Sequence, residues 1–402
     1  MKRKTVYPAN HWSLQVDIPY SMGVQCGNMF YLCGQADLEG QGNVQNAGDL
    51  YKQTDASIKH IQSVVSELGC DMEDLTKLTV FYINNGETDE SLYIQHIADT
   101  LDTNYKPVIT MVSVPSFFYP GVMVEIDAYG MHGATGALPR GSVSSGNSAF
   151  SQAILCGEMI FIGSLSATDD NGVVQHAGDV VAQSNIVLEK LEKTLSEFGA
   201  NKYDIVKINN WYVGGGTADE WEESARIRAA FYPEPGPAAT GIPVHRLGHD
   251  GAMIQMDCWA MLGTDGNTLP KQHAWPEGHW DWPIHLPFKH GVKCGNMIFL
   301  GGQVSLDQNA NVNDPGNMEK QTHTSMHNIQ RVLAEFGADM KDIVKLNTYY
   351  EGTSNPEDLH SNVNVRSSYF QKPGPASTGI PFPHLAYKDM LIEIEVIAMQ
   401  ED

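Results

Sequence analysis

An α+β fold, written three times in one chain, is what this sequence predicts, and two observations carry the prediction. The first is a repeat. Cys26–Gln35 reads CGNMFYLCGQ, Cys156–Leu165 reads CGEMIFIGSL and Cys294–Gln303 reads CGNMIFLGGQ. SELGCDMEDLTKL from Ser66 returns from Ser196 and Ala334, and MVEIDA from Met123 returns from Met253 and Leu391. All three strings show the same offsets, 130 residues from copy 1 to copy 2 (26 to 156, 66 to 196, 123 to 253) and 138 from copy 2 to copy 3 (156 to 294, 196 to 334, 253 to 391), so there is essentially no net insertion inside a copy. The second observation is the same alternation of strand-like and helix-like stretches within every copy. The 402 residues divide into copies of about 134, an ordinary domain size.

In copy 1 the apolar stretch Met29–Leu32 leads to a turn around Gly40–Gly42 and then a helix from about Ala47 to Leu68. Leu50, Ile58, Ile61, Val65 and Leu68 form its apolar stripe, and Gly69 is its C-cap. A strand at Leu78–Ile83, a second helix near 88–101, and strands near 110–114 and 122–129 complete the unit. The order is β-β-α-β-α-β-β, with helices over one sheet face. Copy 2 expects helices near 177–198 and 217–231, copy 3 near 316–336 and 356–370. The copies are assigned to 1–132, 148–262 and 279–402. The Gly/Ser/Pro-rich 133–147 and the segment 263–278 read as linkers. Each sheet has one face that needs neighbours, so the chain is expected to form a pseudo-trimer, alone or as a low homo-oligomer, with sites between copies.

Composition narrows the function classes. The formal net charge of -23 argues against a nucleic-acid partner and against an anionic membrane surface. No apolar run is long enough to span a bilayer. The start, MKRKTVYPANHW, lacks the apolar core of a secretory signal, and none of the six cysteines sits in a CxxC pair. A reducing, cytoplasmic location follows as the expectation. There is no GxGxxG, Walker loop, GxSxG or HExxH, so no cofactor is expected. His323 and His327 have metal-compatible spacing without a third ligand and read as a solvated face, so no metal is expected either.

The strings resemble the RidA/YjgF family of enamine and imine deaminases. Pro19-Tyr20-Ser21, Gly27-Asn28-Met29, Cys33-Gly34-Gln35 and Glu125-Ile126-Asp127 carry the resemblance in copy 1. Gly295-Asn296-Met297, Gly301-Gly302-Gln303, Asp342-Ile343-Val344-Lys345 and Ile392–Ala398 carry it in copy 3, and Asp204-Ile205-Val206-Lys207 in copy 2. It implies a chorismate-mutase-like α+β fold with pockets between neighbouring sheets. It also implies a carboxylate-binding Arg after a Pro-Ala dipeptide. Here the corresponding stretches are Pro107–Thr110, Pro237–Thr240 and Pro375–Thr378, and none contains Arg. Poor 2-aminoacrylate deamination is therefore expected.

The candidate residues follow. Glu125 and Glu393 fall where the family keeps a water-positioning carboxylate and are the candidate bases; Gln255, their equivalent, cannot act as one. Asp127, Asp257 and Glu395 lie two residues on, on the same strand face, either as acid/base partners or as a hydrogen-bonded polar face. Arg228 and Arg366 are equivalent helix positions that reach an anionic ligand or a structural acid; copy 1 has Ala98. Tyr20, Phe288 and Trp280, with Trp12, belong to an aromatic lead-in shared by copies 1 and 3, either a ligand wall or packing. Cys33 reads as an inert small residue rather than a nucleophile. Thr110, Thr240 and Thr378 are candidate substrate-binding hydroxyls. Copy 3, holding both Glu393 and Arg366, is expected to matter most. The function expected is cofactor-free hydrolysis, deaminase-like, of a small imine, enamine or cyclic amide. The alternative is a pseudo-trimer that binds or senses a small molecule without catalysis.

Overall fold

The computed structural model describes residues 3–134, 140–144 and 149–400. Copy 1 contains β1 (Lys4–Val6), β2 (Gly23–Cys26), β3 (Met29–Leu32), α1 (Leu50–Leu68), β4 (Leu75–Ile83), α2 (Glu90–Leu101), β5 (Val108–Val114) and β6 (Val124–Met131). Copy 2 repeats this with β7 (Arg140–Ser144), β8 (Ser151–Cys156), β9 (Met159–Ser166), α3 (Val180–Ser196), β10 (Ile205–Val213), α4 (Ala218–Phe231), β11 (Ala238–Val244) and β12 (Ile254–Met261). Copy 3 has β13 (Lys271–Ala274), β14 (Gly291–Cys294), β15 (Met297–Val304), α5 (Met318–Glu335), β16 (Ile343–Glu351), α6 (Pro356–Ser367), β17 (Ala376–Phe382) and β18 (Ile392–Met399).

Each copy therefore starts one strand earlier than its sequence pattern suggests. β7 and β13 lie inside the segments read as linkers, where they pair antiparallel with β8 and β14, as β1 does with β2. They are short and only partly buried, so they lack the apolar run that marks an interior strand. Within the linkers, 135–139 and 145–147 lie outside the described residues.

The helices start where side chains can cap them. Asp49, Asp179 and Asn317 each accept a backbone N–H from the first turn of α1, α3 and α5. Three equivalent glutamines then strap the long helices to the loops before the last strands. Gln53, Gln183 and Gln321 are fully buried; their amides donate to the carbonyls of Gly121, Gly251 and Asp389. They also accept from the N–H of Met123, Met253 and Leu391. The helices cover the face of each sheet that carries Val124, Ile126, Ile254, Ile392 and Ile394, all fully buried.

The copies join edge to edge. Ser151 N donates to Pro107 O at 3.1 Å, Lys289 N to Pro237 O at 3.2 Å and Ser21 N to Pro375 O at 3.0 Å. The third bond returns copy 3 to copy 1 and closes a ring. Phe81, Trp211 and Tyr349, equivalent positions in the three copies, meet inside it with ring centroids 5.6–6.4 Å apart.

Between copies the interior is held by ions. Lys77 reaches Asp257 at 2.8 Å, Lys207 reaches Glu395 at 2.7 Å and Lys345 reaches Asp127 at 2.8 Å, every partner being buried. Each lysine also donates to a threonine hydroxyl, that of Thr110, Thr240 or Thr378, at 2.5–3.1 Å. Burial alone would raise the Glu395 carboxyl; the Lys207 ammonium holds it below its ordinary range. Removing one member of a buried pair leaves the other charged and unsolvated. Lys345→Met should therefore lower stability by about 3–5 kcal/mol, measured by denaturant unfolding. A change below about 1 kcal/mol, the range of an exposed pair, would show that the ring is not what holds the copies.

Candidate functional site

Three equivalent sites lie where β6, β12 and β18 of one copy meet the helix and strand of the copy before it. Glu125, Gln255 and Glu393 occupy the strand wall. Their backbone positions match, but what surrounds them does not.

The site between copies 2 and 3 surrounds a cavity of about 70 Å³. Arg228, Thr240, Phe288, Trp280 and Glu393 all line it. The pairing expected inside copy 3 is thus corrected. Glu393 faces Arg228 of copy 2, not Arg366 of its own copy, because each pocket straddles a boundary. Tyr212, another lining residue, lies within electrostatic reach of both.

Backbone makes room for the carboxylate. A Cβ at Gly302 would fall 1.7 Å from Glu393 Oε1, and one at Gly34 would fall 1.9 Å from Glu125 Oε1. Copy 2 has Ser164 at that position, and Gln255 turns its amide to Met111 O at 2.5 Å instead. Burial raises the Glu393 carboxyl to about 8; nearby Lys207 opposes the rise and Glu395 adds to it. Burial likewise pushes the Glu125 carboxyl well up.

The opposite wall is made of donors. Arg228 is buried, and burial lowers its guanidinium to about 10. Its Nη1 donates to Ser224 at 3.1 Å, while Nε has no partner among the described residues. The Tyr212 hydroxyl, the Tyr387 hydroxyl and the Trp221 indole N–H line the same cavity and are also buried without partners among the described residues. A buried cation and three buried hydrogen-bonding groups left open form a receptacle for an anionic oxygen. Trp280, Trp282 and Phe288 close the rest. Gln303 fixes this aromatic lead-in by accepting from Trp280 Nε1 at 3.4 Å and lying 2.8 Å from His279 Nε2.

The site between copies 3 and 1 holds the other candidates. Tyr350 is within reach of both Glu125 and Arg366. The Arg366 guanidinium lies 5.9 Å from the centre of the Tyr20 ring and is held by Asn362 and Ser377. Cys33 is buried within electrostatic reach of Lys345 and Glu125; burial raises its thiol, so it is protonated rather than nucleophilic. The threonines are committed to the lysines, and Thr378 also donates to Asp127 and accepts from Gly34 N. Of the three, Thr240 lines the cavity containing Glu393.

The site between copies 1 and 2 has Ala98 in place of the arginine and surrounds a cavity of about 210 Å³. His323 and His327 both hydrogen-bond Tyr369. Among the described residues, one group has metal-ligand spacing, Cys70, Asp74 and His132, and it lines neither inter-copy cavity. Asp74 already accepts the N–H groups of Asp71, Gly133 and Ala134.

Sequence reasoning missed Lys77, Lys207 and Lys345, and the open donors Tyr212, Trp221 and Tyr387. The lysines had a signal: each interrupts a buried strand at the same register in all three copies. Of the donors, Tyr212 recurs as Tyr82 and Tyr350 but was not singled out, Tyr387 recurs only as Tyr119, and Trp221, whose equivalents are Ser91 and Leu359, carried no repeat signal.

The raised Glu393 carboxyl has a measurable consequence. Its folded value lies above its ordinary 4.5, so its contribution to stability is full below about pH 4.5 and is lost as pH rises towards 8. Glu393→Gln removes that dependence. The variant should gain stability relative to the parent between pH 4.5 and 8, followed by thermal unfolding across pH; a constant difference would mean an ordinary carboxyl.

The endoribonuclease L-PSP family model matches residues 12–131, 144–262 and 283–400. A RutC family protein of Pyrococcus abyssi is 34% identical over 115 residues, 29% of this chain and 87% of that protein. The 2-iminobutanoate/2-iminopropanoate deaminase of Dermatophagoides farinae is 29% identical over 29% of this chain and 87% of its own length. Among solved structures, a chorismatase aligns over 81% of this chain and 93% of its own, with TM-score 0.55 and 13% identity, a likeness of fold. Among the described residues no helix is long and apolar enough to cross a membrane. With three tandem matches spanning most of its length, the chain belongs to the RidA/YjgF (endoribonuclease L-PSP) family.

Proposed function

We infer that the chain is a cofactor-free, deaminase-type hydrolase that cleaves the C=N bond of a small imine or enamine carboxylate in the pocket between copies 2 and 3. One observation carries this reading: a carboxyl raised to about 8 shares a cavity with a buried guanidinium that has no acidic partner among the described residues. Relatives named as imine deaminases support it. The strand arginine of the family is absent, the ground for expecting poor 2-aminoacrylate deamination, but a guanidinium enters the pocket from α4 instead, and Arg228 is on this reading the substitute carboxylate anchor.

The substrate carboxylate docks on Arg228, with the Tyr212 and Tyr387 hydroxyls completing its hydrogen bonds. Glu393, protonated at neutral pH, gives its proton to the imine nitrogen. The resulting carboxylate takes a proton from water as the water oxygen bonds to the imine carbon. Glu393 then returns that proton to nitrogen, the C–N bond breaks, ammonia leaves, and the carbinol proton passes back to Glu393 as the carbonyl forms. Matching the acid's pKa to the working pH is what makes such a group effective. The chain acts as a pseudo-trimer by itself, with a sedimentation mass near 44.2 kDa or a small multiple.

The test generates 2-iminopropanoate in place from alanine with an amino-acid oxidase and follows loss of the imine. Turnover should fall as pH rises through about 8. Glu393→Gln should lower kcat by about 10²–10⁴-fold, whereas Arg228→Leu should act largely on KM. Saturable binding of small carboxylates without turnover of imines, enamines or cyclic amides would make the chain a binding or sensing module.

A further inference from the structure

The cavity between copies 1 and 2 occupies the place of the site just described, yet its charges are rearranged. The strand carboxylate is gone, since Gln255 spends its amide on Met111 O. The helix arginine is gone too. A different carboxylate has come in from the helix wall. Glu90 is the first residue of α2, where its equivalents cap the helix: Glu220 accepts from Gly215 N and Thr217 N, and Asp358 from Thr353 N. In copy 1 Asp89 does the capping and Glu90 lines the cavity, accepting from the Tyr82 hydroxyl at 2.5 Å. In the other copies that hydroxyl belongs to Tyr212 and Tyr350, and neither has a partner among the described residues.

Space for Glu90 is provided across the boundary. A Cβ on Gly248 would lie 1.9 Å from Glu90 Oε1; the equivalent residues are Phe118 and Ala386. A cation faces the same cavity from α3. Lys190, whose equivalents are His60 and Asn328, donates to the carbonyls of Ser166 at 2.9 Å and Thr168 at 2.5 Å. An ammonium has three donors, so one remains. Lys190 and Glu90 do not pair with one another. Ser164, Ser166 and Gln152 add neutral hydrogen-bonding groups to the wall, and no tryptophan lines it. At about 210 Å³, the cavity is three times the volume of its neighbour. Burial raises the Glu90 carboxyl, a tendency the Tyr82 hydrogen bond and the His249 and Arg246 charges oppose, and burial lowers the Lys190 ammonium against the opposing pull of Asp170 and Asp169. A ligand bringing an opposite charge to each would relieve both.

We propose that the cavity between copies 1 and 2 is a second ligand site, separate from the one containing Glu393, that binds a small zwitterion with its ammonium on Glu90 and its carboxylate on Lys190. The proposal stands without the hydrolase reading, since it uses none of the same side chains.

Titration calorimetry of the whole chain tests it with amino acids of graded chain length. Each is compared with the amine lacking its carboxylate and the acid lacking its amino group. The best zwitterion should bind at least tenfold more tightly than either fragment. Glu90→Gln should erase its advantage over the acid, and Lys190→Met its advantage over the amine. Gly248→Ala, which places a methyl against Glu90, should weaken binding while leaving all ionisable groups in place. Glu393→Gln should leave binding unchanged. The proposal fails if no zwitterion binds at millimolar concentration, if the acid fragment binds as well as the zwitterion, or if folded Glu90→Gln binds normally. Loss of binding in Glu393→Gln would place the ligand in the neighbouring cavity and overturn it as well, whether or not imines are hydrolysed.

Discussion

Three lysine–carboxylate pairs, each crossing from one copy to the next, set the geometry on which everything else rests. Taking six ionised groups out of water is costly, and only close pairing with further hydrogen bonds offsets it. Lys345 shows how completely this is met: its three donors go to Leu32 O at 2.7 Å, Asp127 at 2.8 Å and Thr378 at 2.7 Å. A slip of one residue along any of these strands would turn the partner to the other face. The acids of the ring lie two residues beyond Glu125, Gln255 and Glu393 on the same strands, so the constraint that welds the copies also fixes where the site-bearing side chains stand.

On that common frame the three boundaries have become three chemistries. One pairs a high-pKa carboxyl with an arginine amid open donors and aromatic walls. One has its arginine tied to Asn362 and Ser377 under a tyrosine ring, with a protonated thiol nearby. The third has exchanged its charges from wall to wall. A trimer of identical chains cannot differ in this way, because one substitution appears in all three sites. Within one chain, Ser164 and Gln255 differ together from their equivalents, and Gly248 makes room for a Glu90 carboxylate whose equivalent Glu220 caps its helix instead, with neither difference imposed on the other boundaries.

The repeat and the six helices were legible because periodicity and register survive in sequence, and so was the candidacy of Glu393, Arg228, Phe288 and Trp280 taken singly. The pairing across copies was not. Register says that Glu393 and Arg366 belong to the same copy, but the twist and closure of three sheets decide which copy's helix faces which copy's strand. The short first strands were hidden because half-exposed edges need no apolar run. The lysines were hidden in plain view: Lys207 and Lys345 belong to a motif string that could be recognised without asking what a cation does inside a strand.

The closing contact of the ring joins residues far apart in synthesis. Asp127 is made 218 residues before its partner Lys345. At the usual pace of translation that interval is roughly ten to forty seconds. Throughout it, copy 1 has an acid prepared for burial and no cation to receive it, and an open edge at Ser21 awaiting Pro375. The first copy must therefore persist as a half-finished surface while its siblings emerge, and the ring becomes topologically complete with the last copy to leave the ribosome. The chain's vulnerability to misassembly is thus concentrated in its oldest third.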